Sequence, residues 1–273
     1  MSDTPSPVIT SRANARLKAA RRLQAKRHRQ SEGLFLSEGE DIVAEALAAG
    51  ILPVETFVAA ERPPEQGLVA RLTRGGPLHT VTDPLLAELG SLGHPARVIC
   101  LFRIGDLPAR AEAATLGVYL HRVIDPGNVG TVVRACGALG PAFLALSPGC
   151  SDPLSGKGIR ASMGAVFRVP IEFGAEPPRG LRRVALEPRA ERPLWELDLA
   201  EPTVFLVGAE RHGLPGEILA ACDELCAIPQ SAEAESLNAA AAATVALYEC
   251  SRQRAIQTES AESAASGRRS NQP

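Results

Sequence analysis

Short apolar runs of strand length alternate with polar turns and with amphipathic segments of helix length along most of the chain. In the first part, residues 34–51 fit a strand, a turn at Glu38–Gly39 and an amphipathic helix. Further strands are predicted at 55–61, 78–82 and 97–103, with a helix at 83–90 between two of them. This pattern predicts a smaller α/β domain over residues 1–106, which also includes a basic N-terminal helix.

A second block of strands begins after residues 107–115, a sparse polar stretch that is the predicted linker. Because strands and helices alternate again, we expect a parallel α/β sheet in a domain over residues 116–255. Residues 256–273 have the composition of a disordered tail. The predicted strands lie at 117–123, 143–147, 182–186, 203–208 and 224–229, and the predicted helices at 129–139 and 236–254.

Composition is that of an ordinary globular protein, with 45% hydrophobic and 22% charged residues. No apolar run approaches the roughly 20 residues of a membrane span. The N-terminus lacks the apolar stretch of a secretory signal, so we expect a cytoplasmic protein; Asp3 argues against a mitochondrial transit peptide. The six cysteines are scattered without the spacing of metal ligands, so no metal site is expected.

Positive charge is concentrated near the N-terminus, although the net charge of the chain is only −2. Residues 11–30 carry eight Lys and Arg and no acid. Such a block suits phosphate binding, but charge alone does not distinguish it from a solvated helix face. Leu17, Ala20 and Leu23 recur at helical spacing, so one face can dock while the other meets solvent. The candidate phosphate-contacting residues are Arg12, Arg16, Arg21, Arg22, Lys26 and Arg27.

Three polar loops follow apolar strands in the second domain, where parallel α/β sheets bind their ligands. The loop at 125–140 contains Asn128 and Arg134. A second loop, at 205–215, places Gly208 and Glu210 after a strand. The third segment, residues 228–249, comprises a loop and the first part of the last predicted helix. Taken singly, each loop has a structural explanation: a surface salt bridge, an ordinary turn and a helix cap at Ser236.

Taken in order, the three loops resemble the motifs of the SpoU (TrmH-type) RNA ribose 2′-O-methyltransferases of the SPOUT superfamily. Residues 147–170 are also similar to the family, and residues 8–104 resemble the substrate-binding domain of its rRNA-modifying members. Gln230 and Ala232 depart from the Met and Gly that are common in the family. The matching positions are Asn128, Gly130 and Arg134; Gly208, Glu210, Gly213 and Leu214; and Ile228, Pro229, Glu235, Ser236, Leu237 and Asn238.

The resemblance implies a catalytic domain with a deep trefoil knot, S-adenosylmethionine as cofactor, structured RNA as substrate and a homodimeric enzyme. It favours rRNA over tRNA, and 23S rRNA among the rRNAs. It also implies that Arg134 serves the site of the neighbouring subunit. The residues implied in catalysis are Arg134, Asn128, Glu210, Ser236 and Asn238, and those implied in cofactor binding are Gly208, Ile228, Gln230 and Leu237.

The ribose hydroxyl must lose its proton to become a good nucleophile. The resemblance makes Arg134 the base, yet a guanidinium holds its proton to a pKa above about 12. Arg134 could instead orient a phosphate and stabilise the developing alkoxide, and Glu210 has the more suitable basicity. Two other functions stay open: methylation of tRNA, and RNA binding without catalysis. A dinucleotide-binding enzyme is disfavoured because no G-x-G-x-x-G is present.

Overall fold

The structure is a computed structural model that describes residues 7–90, 96–231, 233 and 236–269, with side chains up to residue 258. The chain forms two compact units. The first comprises Met1–Pro108 and Asp152–Arg168, and the second Ala109–Ser151 and Val169–Pro273. The predicted linker, 107–115, contains the boundary and has neither helix nor strand. The segment 152–168 was predicted in the second domain, but its packing places it in the first unit.

The first unit begins with two short helices rather than the single basic helix that was predicted. Helix α1 (Ala15–Arg22) starts at Asn14, whose side chain accepts from the amides of Arg16 and Leu17. Helix α2 (Lys26–Glu32) ends at Gly33, which has the positive φ of 65° that glycine adopts readily. The remaining elements are β1 (Leu34–Glu38), α3 (Glu40–Ala48), β2 (Glu55–Ala59), α4 (Gln66–Leu72), β3 (Leu78–Val81), α5 (Asp83–Ala87) and β4 (Val98–Arg103).

A four-stranded mixed sheet, in the order β1-β4-β2-β3, organises the first unit. Strand β4 is antiparallel to β1 and β2, whereas β2 and β3 are parallel. Leu17, Ala20 and Leu23 pack against apolar residues of this sheet, as their helical spacing predicts. The buried guanidinium of Arg29 donates to Asp152 at 2.6 Å and to two carbonyl oxygens, which ties α2 to the segment 152–168.

The second unit is built on a six-stranded, entirely parallel sheet in the order β10-β8-β9-β5-β6-β7, which confirms the predicted architecture. Its central strands are buried along their whole length and are almost entirely apolar, as expected for strands covered on both faces. Its elements are β5 (Leu116–Leu120), α6 (Pro126–Ala138), β6 (Phe143–Leu146), β7 (Ile171–Phe173), β8 (Arg182–Leu186), β9 (Thr203–Val207), α8 (Gly216–Ala220), β10 (Glu224–Cys226) and α9 (Ala239–Arg269); α7 (Gly156–Ser162) precedes β7 in the chain and belongs to the first unit.

The direction of the connections reverses between neighbouring strands β5 and β9. From β5 the chain proceeds to β6 and β7 on one side, then crosses to β8, β9 and β10 on the other. The loops that leave the carboxyl ends of β5 and β9 therefore diverge at a topological switch point. Crevices for ligands form at such points in open α/β sheets.

The last helix corrects two expectations. It begins at Ala239 instead of Ser236, and it continues to Arg269 through most of the segment predicted to be a disordered tail, 256–273. Adding residues to a formed helix is far easier than nucleating one, and residues 256–269 contain three Ala, two Glu and two Arg, which favour a helix. No helix among the described residues is long and apolar enough to cross a membrane.

Candidate active site

A pocket of about 340 Å³ lies at the carboxyl ends of β8, β9 and β10. Its walls come from the segments that follow these strands and from the first turn of α9. The structure brings the four predicted cofactor-binding residues together there: Gly208, Ile228, Gln230 and Leu237 all line the pocket, as do the predicted catalytic residues Glu210 and Ser236. The predicted strand ends explain this convergence, because parallel strands deliver their loops to the same edge of the sheet.

The loop after β9 bends so sharply that Gly208 cannot carry a side chain. A Cβ on Gly208 would lie 2.1 Å from the carbonyl carbon of Gly213. The amide of Gly213 donates to the carbonyl of Ala209 at 2.8 Å, which closes the turn, and Gly213 has a φ of 62°. The backbone of residues 208–213 is thereby held against the pocket, where its polar groups can meet a ligand directly.

Three predicted catalytic residues form a chain of hydrogen bonds. The side-chain amide of Asn128 donates to Oε1 of Glu210 at 2.6 Å, and the side-chain amide of Asn238 donates to Oδ1 of Asn128 at 3.1 Å. These residues come from the first turn of α6, the loop after β9 and the N-terminus of α9, and the bonded pairs are 82 and 110 positions apart in the sequence. Each Asn therefore acts as donor and acceptor at once, which fixes the orientation of its amide.

Asn238, and not Ser236, caps the final helix. Its Oδ1 accepts from the amides of Ala240 at 2.9 Å and Ala241 at 3.2 Å, while its backbone carbonyl begins the helical ladder with Ala242. The prediction that Ser236 is the cap was wrong because both residues are good cap formers and sequence does not decide between neighbours. Ser236 is exposed and lines the pocket two residues earlier. Glu235 and Ala232 lie outside the described residues.

Arg134 lies on the same helix as Asn128, but among the described residues it has no hydrogen bond or ion pair with the other predicted catalytic residues. It is exposed on α6, and within the described part of the chain its guanidinium has no hydrogen bond or ion pair. It lines none of the pockets described for the second unit. The surface salt bridge that would explain Arg134 structurally is therefore not seen among the described residues.

Several residues of the site were not singled out from the sequence. Asp125 caps α6 by accepting from the backbone amides of Gly127 and Asn128, so it fixes the first turn of α6, which contains Asn128. Glu187, Pro188 and Arg189 line the pocket immediately after β8. Extending the strand-end argument to β8, whose position was predicted, would have found the latter three.

The groups around the pocket fit a molecule that combines apolar and charged parts, as S-adenosylmethionine does. Ile228 and Leu237 offer apolar surface, and the backbone at Gly208 is accessible. Glu187 and Arg189 provide opposite charges on one wall. The volume is within the range of small-molecule pockets. Among the described residues, no cluster of three or more His, Cys, Asp or Glu could hold a metal ion.

The candidate RNA-contacting residues of the first unit are largely paired with acids from elsewhere in that unit. Arg12 and Arg21 both contact Glu88, Arg16 contacts Glu55, and Arg22 lies 3.7 Å from Glu32. Arg27 donates to the neighbouring His28 and has no acidic partner in the part of the chain that the structure describes. Lys26 and Lys18, the latter not predicted, are exposed and have no hydrogen bond or ion pair within the described ranges.

Comparison with known proteins also divides the chain into two parts, although it assigns the segment 152–168 to the second of them. The profile of the SpoU rRNA methylase family matches residues 115–248, and that of the MRM3-like substrate binding domain matches residues 14–100. An uncharacterised tRNA/rRNA methyltransferase of Synechocystis is 33% identical over 256 residues, which cover 90% of this chain and 93% of the relative.

Two further proteins are similar over nearly their full length. The 23S rRNA (uridine(2479)-2′-O)-methyltransferase of Streptomyces viridochromogenes is 30% identical, covering 90% of this chain and 92% of the relative. The AdoMet-bound rRNA methyltransferase of Sinorhizobium meliloti superposes with a TM-score of 0.78 at 30% identity, covering 90% of this chain and 97% of that structure. With three ordered motifs, the strand-end pocket and these relatives in agreement, the chain belongs to the SpoU rRNA methylase family.

Proposed function

We propose that this protein transfers a methyl group from S-adenosylmethionine to a ribose 2′-hydroxyl of RNA, with 23S rRNA as the favoured substrate. The observation that carries this proposal is the junction of two features at one edge of the parallel sheet: the pocket at Gly208, Ile228 and Leu237, and the hydrogen-bonded chain Glu210–Asn128–Asn238. The identities of the relatives support rRNA. Ribosomes make the cytoplasm the compartment in which we propose that the enzyme acts.

When bound, the cofactor supplies a methyl group on a sulfonium that leaves as a neutral thioether. The protein must therefore orient the hydroxyl oxygen in line with the methyl carbon and remove the hydroxyl proton. Glu210 has a carboxylate that lines the cofactor pocket, and its Oε1 is committed to Asn128. We assign proton acceptance to Oε2 of Glu210, while Asn128 and Asn238 hold the carboxylate in place.

Arg134 would stabilise the developing charge on the ribose oxygen or its flanking phosphate, a role that suits a permanently protonated group. Because Arg134 lines none of the pockets described for the second unit, we propose that it completes the site of a second copy in a homodimer. The exposed apolar residues Val245, Tyr248 and Ile256 recur at helical spacing on α9, which packs against α6, and offer a surface for such a copy. We also propose the deep trefoil knot of the family for the second unit.

The reaction is tested by incubating the protein with methyl-labelled cofactor and unmodified 23S rRNA or tRNA, followed by digestion to nucleosides. We expect label in 2′-O-methylnucleosides from 23S rRNA. Label in the base overturns the proposed reaction, and label in tRNA alone overturns the proposed substrate. Glu210→Gln keeps an oxygen for Asn128 but removes the base, so we expect a rate at least about 10²-fold lower at unchanged cofactor affinity.

The shared site is tested by complementation between two inactive variants. Arg134→Ala removes the arginine, and Gly208→Val blocks the pocket through the clash described above. Each homodimer should be inactive, but co-expressed chains should recover about one quarter of wild-type activity, because half of randomly assorted dimers contain one complete site. Absence of recovery in mixed dimers verified by mass spectrometry would show that Arg134 acts within its own subunit.

A further inference from the structure

A second, larger pocket of about 890 Å³ lies at the switch point of the parallel sheet. Its walls are the loop after β5, residues 121–125, and the loop after β9, residues 209–215. Residues 209–213 line this pocket and the cofactor pocket as well. A group bound in the switch-point pocket would therefore lie beside the same turn that carries Glu210.

Two arginines and two acids line this pocket. Its two acids are engaged: Asp125 accepts from the amides of Gly127 and Asn128, and Glu210 accepts from the side chain of Asn128. Arg122 and Arg211 are exposed, and neither guanidinium has a hydrogen bond or an ion pair in the parts of the chain that the structure describes. The acids are held in place by neutral amides, whereas the two guanidinium groups are held by no partner among the described residues, so both cations are available to an anionic ligand.

Arg122 has a backbone conformation that residues other than glycine rarely adopt. Its φ is 53°, in the left-handed region where glycine is favoured, and its amide donates to Oγ of Ser147 at 2.9 Å. The turn out of β5 imposes this conformation, and a glycine would adopt it without strain. Strained backbone of this kind concentrates at functional sites, where the side chain is needed despite its cost.

The rim of the pocket also has an apolar component. Ile124 is 73% exposed, the largest exposure among the large apolar side chains for which exposure is described. A free inorganic anion would make no use of such a surface, whereas a nucleotide presents a phosphate together with an apolar ribose and base face. The combination of cations and apolar surface favours an RNA strand over a small anion.

We propose that Arg122 is a positioning residue that, with Arg211, binds a backbone phosphate of the RNA substrate in the switch-point pocket and so places the target ribose beside Glu210. This inference deepens the proposed function and depends on it for the identity of the RNA. It assigns substrate positioning to a residue outside the three loop motifs. Arg122 does not touch the reacting atoms in this arrangement, so its loss acts on RNA binding more than on the chemical step.

The test uses Arg122→Gly, which removes the guanidinium and relieves the backbone strain together. We expect the KM for 23S rRNA to rise about three- to ten-fold and the slope of log affinity against log salt to fall in magnitude by about 1, as for the loss of one phosphate contact. The maximal rate should change much less than KM. Cofactor affinity should stay unchanged, and the Tm should be equal or higher, because glycine suits the left-handed backbone.

Two further variants make the test specific. Arg122→Lys keeps a phosphate-binding charge and should retain the wild-type salt slope. Arg179→Gln removes an exposed arginine that lines a neighbouring pocket together with Arg122 but lies outside the switch-point pocket. It tests which of the two pockets receives the phosphate, and should leave KM near the wild-type value. An unchanged KM and salt slope in Arg122→Gly, or an equal rise of KM in Arg179→Gln, would overturn the proposal.

The failure of this inference is distinguishable from that of the proposed reaction. RNA affinity and its salt dependence are measured by filter binding without methyl transfer. A wild-type protein that binds 23S rRNA but does not methylate ribose overturns the reaction, while the comparison of Arg122→Gly with Arg179→Gln still decides whether Arg122 binds phosphate.

Discussion

The arginines of the N-terminal basic segment differ from three exposed arginines of the second unit in what their guanidinium groups contact. In the first unit, Arg12, Arg16 and Arg21 contact acids, and Arg29 is buried against Asp152. In the second unit, Arg122, Arg134 and Arg211 are exposed and lack such contacts among the described residues. The strongest basic block in the sequence therefore contributes less free charge than its composition indicates.

This difference separates arginines that hold the fold from arginines that are available to a ligand. A carboxylate partner neutralises a guanidinium and fixes its position, whereas an unpaired guanidinium near a pocket keeps its charge for phosphate. Substitutions in the first group should change stability, and those in the second should change binding or catalysis. Four predictions test this separation.

The largest effect is expected on stability from Arg29→Ala. The substitution leaves Asp152 buried without its cation and two carbonyl oxygens without their donor, so unfolding should become easier by about 3–5 kcal/mol. Urea denaturation measures the change. Arg12→Ala, which breaks an exposed pair with Glu88, is the matched control and should cost under about 1 kcal/mol. Equal losses in both variants would remove the distinction between buried and exposed pairs.

The next effect is expected on catalysis from Arg134→Ala. Loss of a group that stabilises developing charge should lower the single-turnover rate about 10²- to 10³-fold. Because the side chain is exposed and unpaired among the described residues, the free energy of unfolding should change by less than about 0.5 kcal/mol. Rapid-quench methylation assays and urea denaturation provide the two values. A stable variant with the full wild-type rate would show that Arg134 has no catalytic role.

A smaller effect is expected on RNA affinity within the basic N-terminal segment. Lys26 has no partner among the described residues, whereas Arg16 contacts Glu55 at 2.8 Å. Lys26→Gln should therefore reduce the salt slope of rRNA binding by about 1, and Arg16→Gln by less, since Glu55 already offsets that charge. Filter binding over a range of KCl concentrations measures both slopes. A larger change in Arg16→Gln would mean that its ion pair opens when RNA binds.

The smallest effect is expected on the pKa of His121, at the end of β5. Burial lowers this pKa below its ordinary value, the charge of Arg122 lowers it further, and the nearby Glu176 and Glu217 oppose the shift. Arg122→Gly should raise the pKa of His121, which an NMR titration of the imidazole measures. An unchanged or lower pKa would show that the guanidinium of Arg122 lies away from the imidazole of His121.

The lowered pKa of His121 also gives a dependence of stability on pH. The unfolded chain binds the proton more tightly, so the contribution of neutral His121 to stability is fully present above about pH 6.5 and is lost as the pH falls through the folded-state pKa. Without the charge of Arg122, the pKa of His121 in the folded state should lie closer to its value in the unfolded chain. Less stability should then be lost as the pH falls. Urea denaturation of both proteins across this range of pH would detect the difference.

Much of the fold could be predicted because the hydrophobic pattern is strong where strands are buried. Five of the six strands of the second unit and the helix after β5 lie close to their predicted positions, since runs such as 203–207 and 143–146 have few polar residues; the short strand β7 was not predicted. Helix ends were less predictable. Ser236 and Asn238 are both suitable caps, and the choice of Asn238 follows from its contact with Asn128, which is distant in sequence.

The sequence by itself determined the order of the three loops, their place after apolar strands and hence the family. Those features are local, because they depend on periodicity and on residue types at fixed spacing. Only the tertiary structure decided which charges are free and which loops meet: the pairing of Arg12, Arg16 and Arg29, the chain from Glu210 through Asn128 to Asn238, and the strained Arg122 at the switch point. Such contacts join residues that are far apart in the chain, and no local pattern encodes the distance between them.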